Sequence, residues 1–296
     1  MSEPANAAAS ASAVAGGEAV TVARALRDAA QRLSATSDTA RLDAEVLMAR
    51  ALGTARSDLL LRRTGDPVPE TFAALVERRA AHEPVAYIVG EQGFFGLPFR
   101  VTPDVLIPRG DSEVLVERAL AAVPQVRRVL DCGTGSGALL LATLANLPGA
   151  HGVGIDRSEA ALAIARGNAG ALGLAERARM CLADWTRPGW SDPLGGPFDL
   201  VLANPPYVED AAELAPSVRA FEPAGALFAG AQGLDDYRVL VPQLPALLAP
   251  GGTALVEIGA TQGDAVSAIG HAAGLRAALH HDLAGRPRAV EFCVRR

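Results

Sequence analysis

The chain has 296 residues, half of them hydrophobic, which is enough for two domains with separate cores. A formal net charge of −6 argues against a body that binds nucleic acid, and no apolar run is long enough to cross a membrane. The three cysteines lie in or at the end of apolar runs, which favours buried thiols, and the five histidines lack metal-ligand spacing. We therefore expect a cytoplasmic protein with no metal site, and we expect it to act as a monomer.

The amino-terminal part predicts a short tail and a helical domain. Met1–Gly17 is rich in Ala and Ser and has neither a basic segment nor a compact apolar core, so we expect a disordered tail rather than a signal peptide. Over residues 18–84, apolar side chains recur at helical spacing, and Gly53 and Pro84 mark helix ends. This pattern predicts a small helical bundle, and we expect its exposed face to dock a protein substrate.

Residues 85–108 change character and predict a β-hairpin that links two domains. Phe99 and Val101 alternate with polar residues, and Gly96 allows a tight turn. The segment holds three of the eight phenylalanines. These aromatic rings either line a site or pack on the neighbouring domain, and the sequence leaves both possibilities open.

Residues 109–296 alternate between strand and helix patterns. Seven apolar runs have the length of strands, among them Val129–Asp131, Gly152–Asp156 and Phe198–Ala203, and a long helix is predicted over Asp235–Leu248. The alternation predicts an α/β domain with a doubly wound, mostly parallel sheet. Ligands of such a sheet bind outside the carboxyl ends of the strands.

The first of these strands ends at Asp131 and leads into a glycine-rich loop formed by Gly133, Thr134, Gly135, Ser136 and Gly137. Glycines permit a tight turn and let a ligand approach the backbone closely. With Ala138 the loop also fits a looser dinucleotide-binding pattern, so the glycines alone are weak evidence. The spacing after an Asp is typical of sites for a sulfonium amino acid, whose cationic end Asp131 would face. Alternatively, Asp131 only caps the loop.

The next two strands also end in polar or aromatic residues. A carboxylate at Asp156 can accept hydrogen bonds from both ribose hydroxyls of a nucleoside. Asp184 and Trp185 follow the third strand, where Asp184 could meet the exocyclic amine of an adenine and Trp185 could stack on its ring. Trp185 could equally be a core residue. Taken together, the strand ends predict a site for S-adenosylmethionine.

The fourth strand stops at a rigid turn made of Asn204, Pro205, Pro206 and Tyr207. The side-chain carbonyl of Asn204 and the backbone carbonyl of Pro205 can accept both hydrogens of a planar NH2 group, on which Tyr207 can stack. The alternative is an ordinary proline-rich loop with a capping Asn. No His, Lys or Cys lies beside Asn204 to act as a base, so the turn predicts catalysis by positioning.

With these motifs the chain resembles the HemK/PrmC family, the peptide chain release factor glutamine methyltransferases. The resemblance covers roughly Val22 to Val294, and its further motifs are Pro84–Gly90, Phe95–Phe99, Val105–Arg109, Phe221–Pro223 and Glu257–Gly259. It implies a Rossmann-like class I methyltransferase domain with a seven-stranded sheet, a helical amino-terminal domain and a hairpin linker. Gly110 departs from the Pro that is usual in the family, which predicts a looser turn there, and Ser112 departs from the usual Thr but keeps the hydroxyl.

The resemblance also implies an activity. The cofactor would be S-adenosylmethionine, and the acceptor would be the side-chain amide nitrogen of the glutamine in the Gly-Gly-Gln motif of release factors. Gly133–Gly137, Asp156, Trp185 and Asn204 would contact the cofactor, and Asn204–Tyr207 would receive the glutamine.

Three other functions remain open at this stage. Amino methyltransferases that act on adenine or cytosine share the Asn/Asp-Pro-Pro-Tyr turn, but they usually need a basic groove or a target-recognition domain. A related enzyme class methylates a glutamine of a ribosomal protein; Arg109, Asp111 and Phe221–Pro223 favour the release-factor branch. An inactive scaffold that binds the cofactor is disfavoured because every expected site position is intact.

Overall fold

The computed structural model describes residues 20–122 and 126–295. The chain divides into two compact units, the first ending at Ala81 and the second beginning at His82. The predicted disordered tail, Met1–Gly17, lies outside the described residues. Each unit buries its own set of apolar side chains. Across the described ranges, no helix combines the length and the apolar character that a membrane span requires.

The amino-terminal unit contains the helices α1 (Val22–Leu33), α2 (Ala40–Leu52), α3 (Arg56–Arg62) and α4 (Thr71–Ala80). Their apolar positions, spaced three and four residues apart, point to one side and form the core of the unit, which includes Leu26, Leu33, Leu47, Leu59 and Phe72. Helix α2 ends at Gly53, whose φ of 61° is the left-handed conformation expected of a glycine stop. The predicted helical bundle is confirmed.

Buried ion pairs tie α2 to the helices around it. Asp43 of α2 accepts a hydrogen bond of 2.7 Å from Nε of Arg79, at the end of α4. Glu45, one turn further in on α2, accepts from Arg41 at 2.6 Å and from Arg56, at the start of α3, at 2.8 Å. Because both carboxylates are buried, each depends on its guanidinium partner to offset the cost of leaving water.

The second unit begins with helix α5 (Val85–Val89) and an antiparallel hairpin of β1 (Glu91–Phe94) and β2 (Leu97–Arg100). The predicted hairpin is confirmed, but it is shorter than 85–108. The apolar run that follows Pro84 is a helical turn, because a proline is tolerated where a helix begins and Gly90 then ends the helix. Phe94 and Phe99 are buried in the core of this unit.

Within the described residues, seven strands form one sheet: β3 (Arg128–Cys132), β4 (His151–Asp156), β5 (Ala178–Leu182), β6 (Phe198–Ala203), β7 (Leu248–Glu257), β8 (Leu275–His281) and β9 (Pro287–Val294). Their order is β5-β4-β3-β6-β7-β9-β8. All neighbours are parallel except β9, which is antiparallel to both β7 and β8. The predicted mostly parallel, seven-stranded sheet is confirmed.

The remaining helices of this unit connect the strands: α6 (Glu113–Ala122), α7 (Ala138–Asn146), α8 (Glu159–Ala171), α9 (Pro216–Phe221), α10 (Asp235–Leu240), α11 (Leu244–Leu247) and α12 (Gly263–Ala272). They cover both faces of the sheet. In β6, Leu200 and Leu202 enter one core while Val201 and Ala203 enter the other, as the two-residue period of a strand requires. The strand order reverses between β3 and β6, so the sheet predicts a ligand site there.

The long helix predicted over Asp235–Leu248 is wrong. The structure instead has α10, a 3-10 turn over Val241–Gln243, and α11. Pro242 and Pro245 lie inside the predicted helix, and each removes a backbone donor and crowds the preceding turn. Helix α9 was not predicted, because it is a single short segment without a buried face.

We expect Arg79→Met to destabilise the amino-terminal unit by about 3–5 kcal/mol, because it leaves the buried Asp43 carboxylate without its guanidinium partner. Urea denaturation followed by far-ultraviolet circular dichroism measures the loss. Arg24→Met is the matched control, since Arg24 pairs with Asp28 on the exposed face of α1 and such pairs contribute less than about 1 kcal/mol. Equal losses in the two variants would contradict the importance of burial.

Candidate active site

A cleft opens at the carboxyl ends of β3, β4 and β6, on the side where the strand order reverses. Its lining includes eight of the residues that the sequence predicts for a site: Gly133, Thr134, Gly135, Ser136, Asp156, Trp185, Asn204 and Pro206. Five other predicted residues do not line it: Asp131, Gly137, Asp184, Pro205 and Tyr207. The sequence therefore predicts the location of the cleft, but it does not distinguish the residues that line the cleft from those that lie behind it.

The glycine loop needs its glycines for conformation and for space. Gly133, Gly135 and Gly137 have φ values of 77°, 54° and 84°, a region that side chains disfavour. A Cβ on Gly133 would lie 3.2 Å from the ring of Trp185. The loop is held to the next strand by Gly133 N and Thr134 N, which donate to the carbonyl of Ile155 at 2.9 and 2.8 Å. At Gly133 the loop therefore presents its backbone to the cleft.

Asp131 lies behind this loop and is almost fully buried. Its Oδ2 accepts a hydrogen bond of 2.7 Å from the hydroxyl of Thr134, and burial raises its pKa to about 7. In the described part of the chain, its Oδ1 has no hydrogen-bond partner. A buried carboxylate with an unpartnered oxygen is costly for the fold alone. Its negative charge behind the glycine loop favours a cation on the cleft side of that loop, which fits the positively charged amino-acid part of S-adenosylmethionine.

Asp156 and Asp184 end neighbouring strands but are used differently. Asp156 accepts from Gly135 N at 3.0 Å and from Ser158 N at 2.9 Å, and it still lines the cleft, where its remaining lone pairs can meet ribose hydroxyls. Asp184 accepts from the backbone and hydroxyl of Thr186 at 2.9 and 2.7 Å, and this hydroxyl hydrogen bond lowers its pKa. The Asp184 carboxylate is therefore bound within its own loop and does not face the cleft.

Trp185 forms one wall of the cleft, and contacts that the sequence did not reveal hold it in place. Its ring nitrogen donates to Asp236 Oδ1 at 3.2 Å, and its carbonyl accepts from Gln243 at 3.1 Å. Asp236 is in α10, far along the chain, so no local pattern signals its contact with Trp185.

The turn at the end of β6 is held by hydrogen bonds at its carboxyl end, and two acceptors at its amino end are unpartnered among the described residues. Tyr207 N and Val208 N donate to the carbonyl of Leu227 at 3.1 and 2.8 Å, and the carbonyl of Tyr207 accepts from Gln262 at 3.0 Å. Within the described chain, the side chain of Asn204 and the carbonyl of Pro205 make no hydrogen bond. These are the two acceptors that the sequence predicts for an NH2 group.

Two further segments, within residues 104–112 and 223–226, line the cleft as well. Glu222 is buried, pairs with Arg109, and accepts from Ile107 N at 3.3 Å, so it joins the two segments. Arg157 also lines the cleft and donates to the carbonyl of Gly225. The sequence identified Arg109 and Phe221–Pro223 only as family motifs, and nothing in their spacing predicts that these two segments meet.

Comparison with known proteins defines the class. Residues 126–265 match a family model described as a methyltransferase domain. The structure also resembles the catalytic domain of hMettl16, crystallised with the MAT2A 3′UTR hairpin 6, with a TM-score of 0.55. The match covers 74% of this chain and 83% of the hMettl16 chain, and at 14% identity it shows a shared fold alone. The fold and the site are those of a class I methyltransferase that uses S-adenosylmethionine as its cofactor.

Relatives identify the family within that class. Residues 24–90 match a model described as the PrmC N-terminal domain. The release factor glutamine methyltransferase of Cereibacter sphaeroides is 46% identical over 90% of this chain and 96% of its own length. That of Geobacter sulfurreducens is 45% identical over 77% and 80% of the two chains. The chain belongs to the family of release factor glutamine methyltransferases.

We expect Asp156→Ala to weaken cofactor binding roughly ten- to a hundredfold, because charged hydrogen bonds of this kind contribute on the order of 1.5–3 kcal/mol. Titration calorimetry with S-adenosylmethionine measures the change. Asp184→Ala removes the matching carboxylate at the next strand end, and because Asp184 faces its own loop, we expect affinity within about threefold of the unmodified protein. Unchanged binding in a folded Asp156→Ala variant would remove Asp156 from the site.

Proposed function

We propose that this chain transfers a methyl group from S-adenosylmethionine to the side-chain amide nitrogen of the glutamine in the Gly-Gly-Gln motif of peptide chain release factors. The observation that carries the proposal is the pair of acceptors at Asn204 and Pro205, which lie beside the glycine loop and have no partner within the described chain. Two acceptors at the edge of a cofactor cleft suit a planar NH2 group. Membership of the family supports glutamine as its source.

Several residues would hold the cofactor. Asp131 would face its ammonium group, Asp156 its ribose hydroxyls and Trp185 its adenine ring, while Gly133–Gly137 would let it lie against the backbone. When bound, the cofactor supplies a methyl group on a positively charged sulfur. The rest of the chemistry depends on how the protein presents the acceptor nitrogen to that methyl group.

An amide nitrogen is a weak nucleophile because its lone pair is delocalised into the carbonyl. The Asn204 side-chain carbonyl and the Pro205 carbonyl would each accept one N–H bond, which pushes electron density onto nitrogen and fixes its lone pair for in-line attack. The chain contains no lysine, and no His or Cys lies beside the turn. The nitrogen therefore loses its proton after the transfer, when the methylated amide is strongly acidic.

The amino-terminal unit has a separate role in this proposal. The helices α1 to α4 form a compact unit of their own, and we propose that the domain predicted over residues 18–84 docks the release factor while the second unit holds the cofactor. The enzyme would act as a monomer in the cytoplasm, where release factors work, and without direct contact with nucleic acid.

We expect Asn204→Ala to lower turnover roughly a hundred- to a thousandfold, by analogy with removing one preorganised group from an oxyanion hole. Cofactor affinity should change less than turnover. Radiolabelled methyl transfer to purified release factor is the assay, with DNA and ribosomal protein as competing acceptors. Asn146→Ala is the matched control, because Asn146 bonds only its own helix and lies outside the cleft. Normal turnover in a folded Asn204→Ala variant would make the turn structural, and preferred methylation of DNA or ribosomal protein would overturn the proposed substrate.

We expect a chain of residues 82–296 to keep its cofactor affinity but to lose methylation of whole release factor. A short peptide that contains Gly-Gly-Gln needs no docking domain, so the truncated and full-length chains should methylate the peptide equally. Calorimetry and the same radiolabel assay give the two readouts. Full activity of the folded truncation on whole release factor would refute docking by the helical domain.

A further inference from the structure

A buried carboxylate lies directly behind the turn formed by Asn204–Tyr207, the acceptor turn. Glu257, at the carboxyl end of β7, is 1% exposed, and its Oε1 accepts a hydrogen bond of 3.4 Å from the hydroxyl of Tyr207. Tyr207 is the last residue of the turn that begins at Asn204. Gln262 holds the backbone of Tyr207 and Glu257 holds its ring, so the orientation of the ring depends on the carboxylate.

Unpartnered polar atoms gather around this carboxylate. Glu257 Oε2, Ser112 Oγ and Arg288 Nε are all buried, and none has a hydrogen-bond partner among the described residues. Burial raises the pKa of Glu257 to about 7, and the neighbouring Ser112 hydroxyl and Arg288 guanidinium both lower it.

The same carboxyl group therefore lies beside two segments that reach the cleft. Ser112 lines the cleft, and Tyr207 ends the turn whose first residue, Asn204, lines it too. Arg288, on β9, also holds the segment of Ser112 through a 2.8 Å ion pair with Asp111. A charge with little exposure and few partners is destabilising for the fold alone, which indicates that it is kept for the site.

We propose that Glu257 is a positioning residue for the methyl acceptor: its carboxylate orients Tyr207 and, through Tyr207, the turn that receives the substrate amide. This inference rests on the proposed function and deepens it. Glu257 does not touch the substrate; it acts through the tyrosine hydroxyl. The competing explanation is that Glu257 only stabilises the fold.

A double-variant comparison separates the two explanations. Glu257→Gln keeps the size of the side chain and loses its charge, and Tyr207→Phe keeps the ring and loses the hydroxyl. Each should lower kcat roughly ten- to a hundredfold, the loss expected for one hydrogen bond to a charged group, with KM for the cofactor unchanged. Because Tyr207→Phe removes the hydrogen bond that Glu257→Gln weakens by removing the charge, the double variant should be no worse than Tyr207→Phe alone.

Tyr237→Phe is the matched control. The Tyr237 hydroxyl is also buried and also bonds Glu257, but at the backbone carbonyl, at 2.8 Å, and Tyr237 lies outside the cleft. The kcat of the Tyr237→Phe variant should equal that of the unmodified enzyme. Additive losses in the double variant, or a similar loss in Tyr237→Phe, would show a general structural role and overturn the proposal.

A measurement without turnover keeps this inference separate from the proposed function. The chain has three tyrosines, so ring-labelled tyrosine gives three sets of NMR signals, and Tyr207→Phe assigns one of them. Glu257→Gln should shift the Tyr207 signals and leave those of Tyr87 unchanged. Unmoved Tyr207 signals would overturn the positioning role even if the enzyme is active. If Glu257→Gln does not fold, a folded Tyr207→Phe variant with normal kcat would overturn it equally.

Discussion

The parallel register between β3 and β6 is the constraint on which the site depends. Cys132 lies opposite Ala203 in that register, so the chain leaves both strands at the same level. The next residues, Gly133 and Asn204, therefore come out side by side, and a Cβ on Gly133 would be 3.9 Å from the carbonyl oxygen of Asn204. The glycine loop and the turn that begins at Asn204 are neighbours because the two strands pair in this way, before any side chain contributes.

Buried carboxyl groups restrain the segments around the cleft. Asp131 lies under the glycine loop, Glu222 joins two of the segments that line the cleft, and Glu257 lies behind the acceptor turn. Each has at least one neighbour that hydrogen-bonds it or bears a positive charge, and each restrains a segment that would otherwise be a free loop. The cleft is thus preformed by carboxyl groups that the protein places in its own interior.

The sequence predicts the frame of this molecule better than its contacts. Periodicity locates the strands, and β6 has its predicted bounds, because a buried strand has a continuous apolar run with clear ends. Asp156 and Asp184 have the same signal, a carboxylate after a strand, and only the tertiary structure shows that one faces the cleft and the other its own loop. The partners of Trp185 and Tyr207 lie about fifty residues further along the chain, beyond the reach of any local pattern.

In the proposed mechanism, the acceptors of Asn204 and Pro205 that are unpartnered within the described residues also determine which side chain the enzyme rejects. A glutamate side chain has nearly the shape of glutamine, but its ionised carboxylate has no hydrogen to give to the Asn204 side-chain carbonyl or to the Pro205 carbonyl. Opposed acceptors repel, and buried polar groups left unpaired reject an analogue more strongly than a missing contact would. A glutamine that had lost its amide by deamidation would therefore be rejected. In that mechanism, the turn that presents the nitrogen for methylation also verifies that the nitrogen is present.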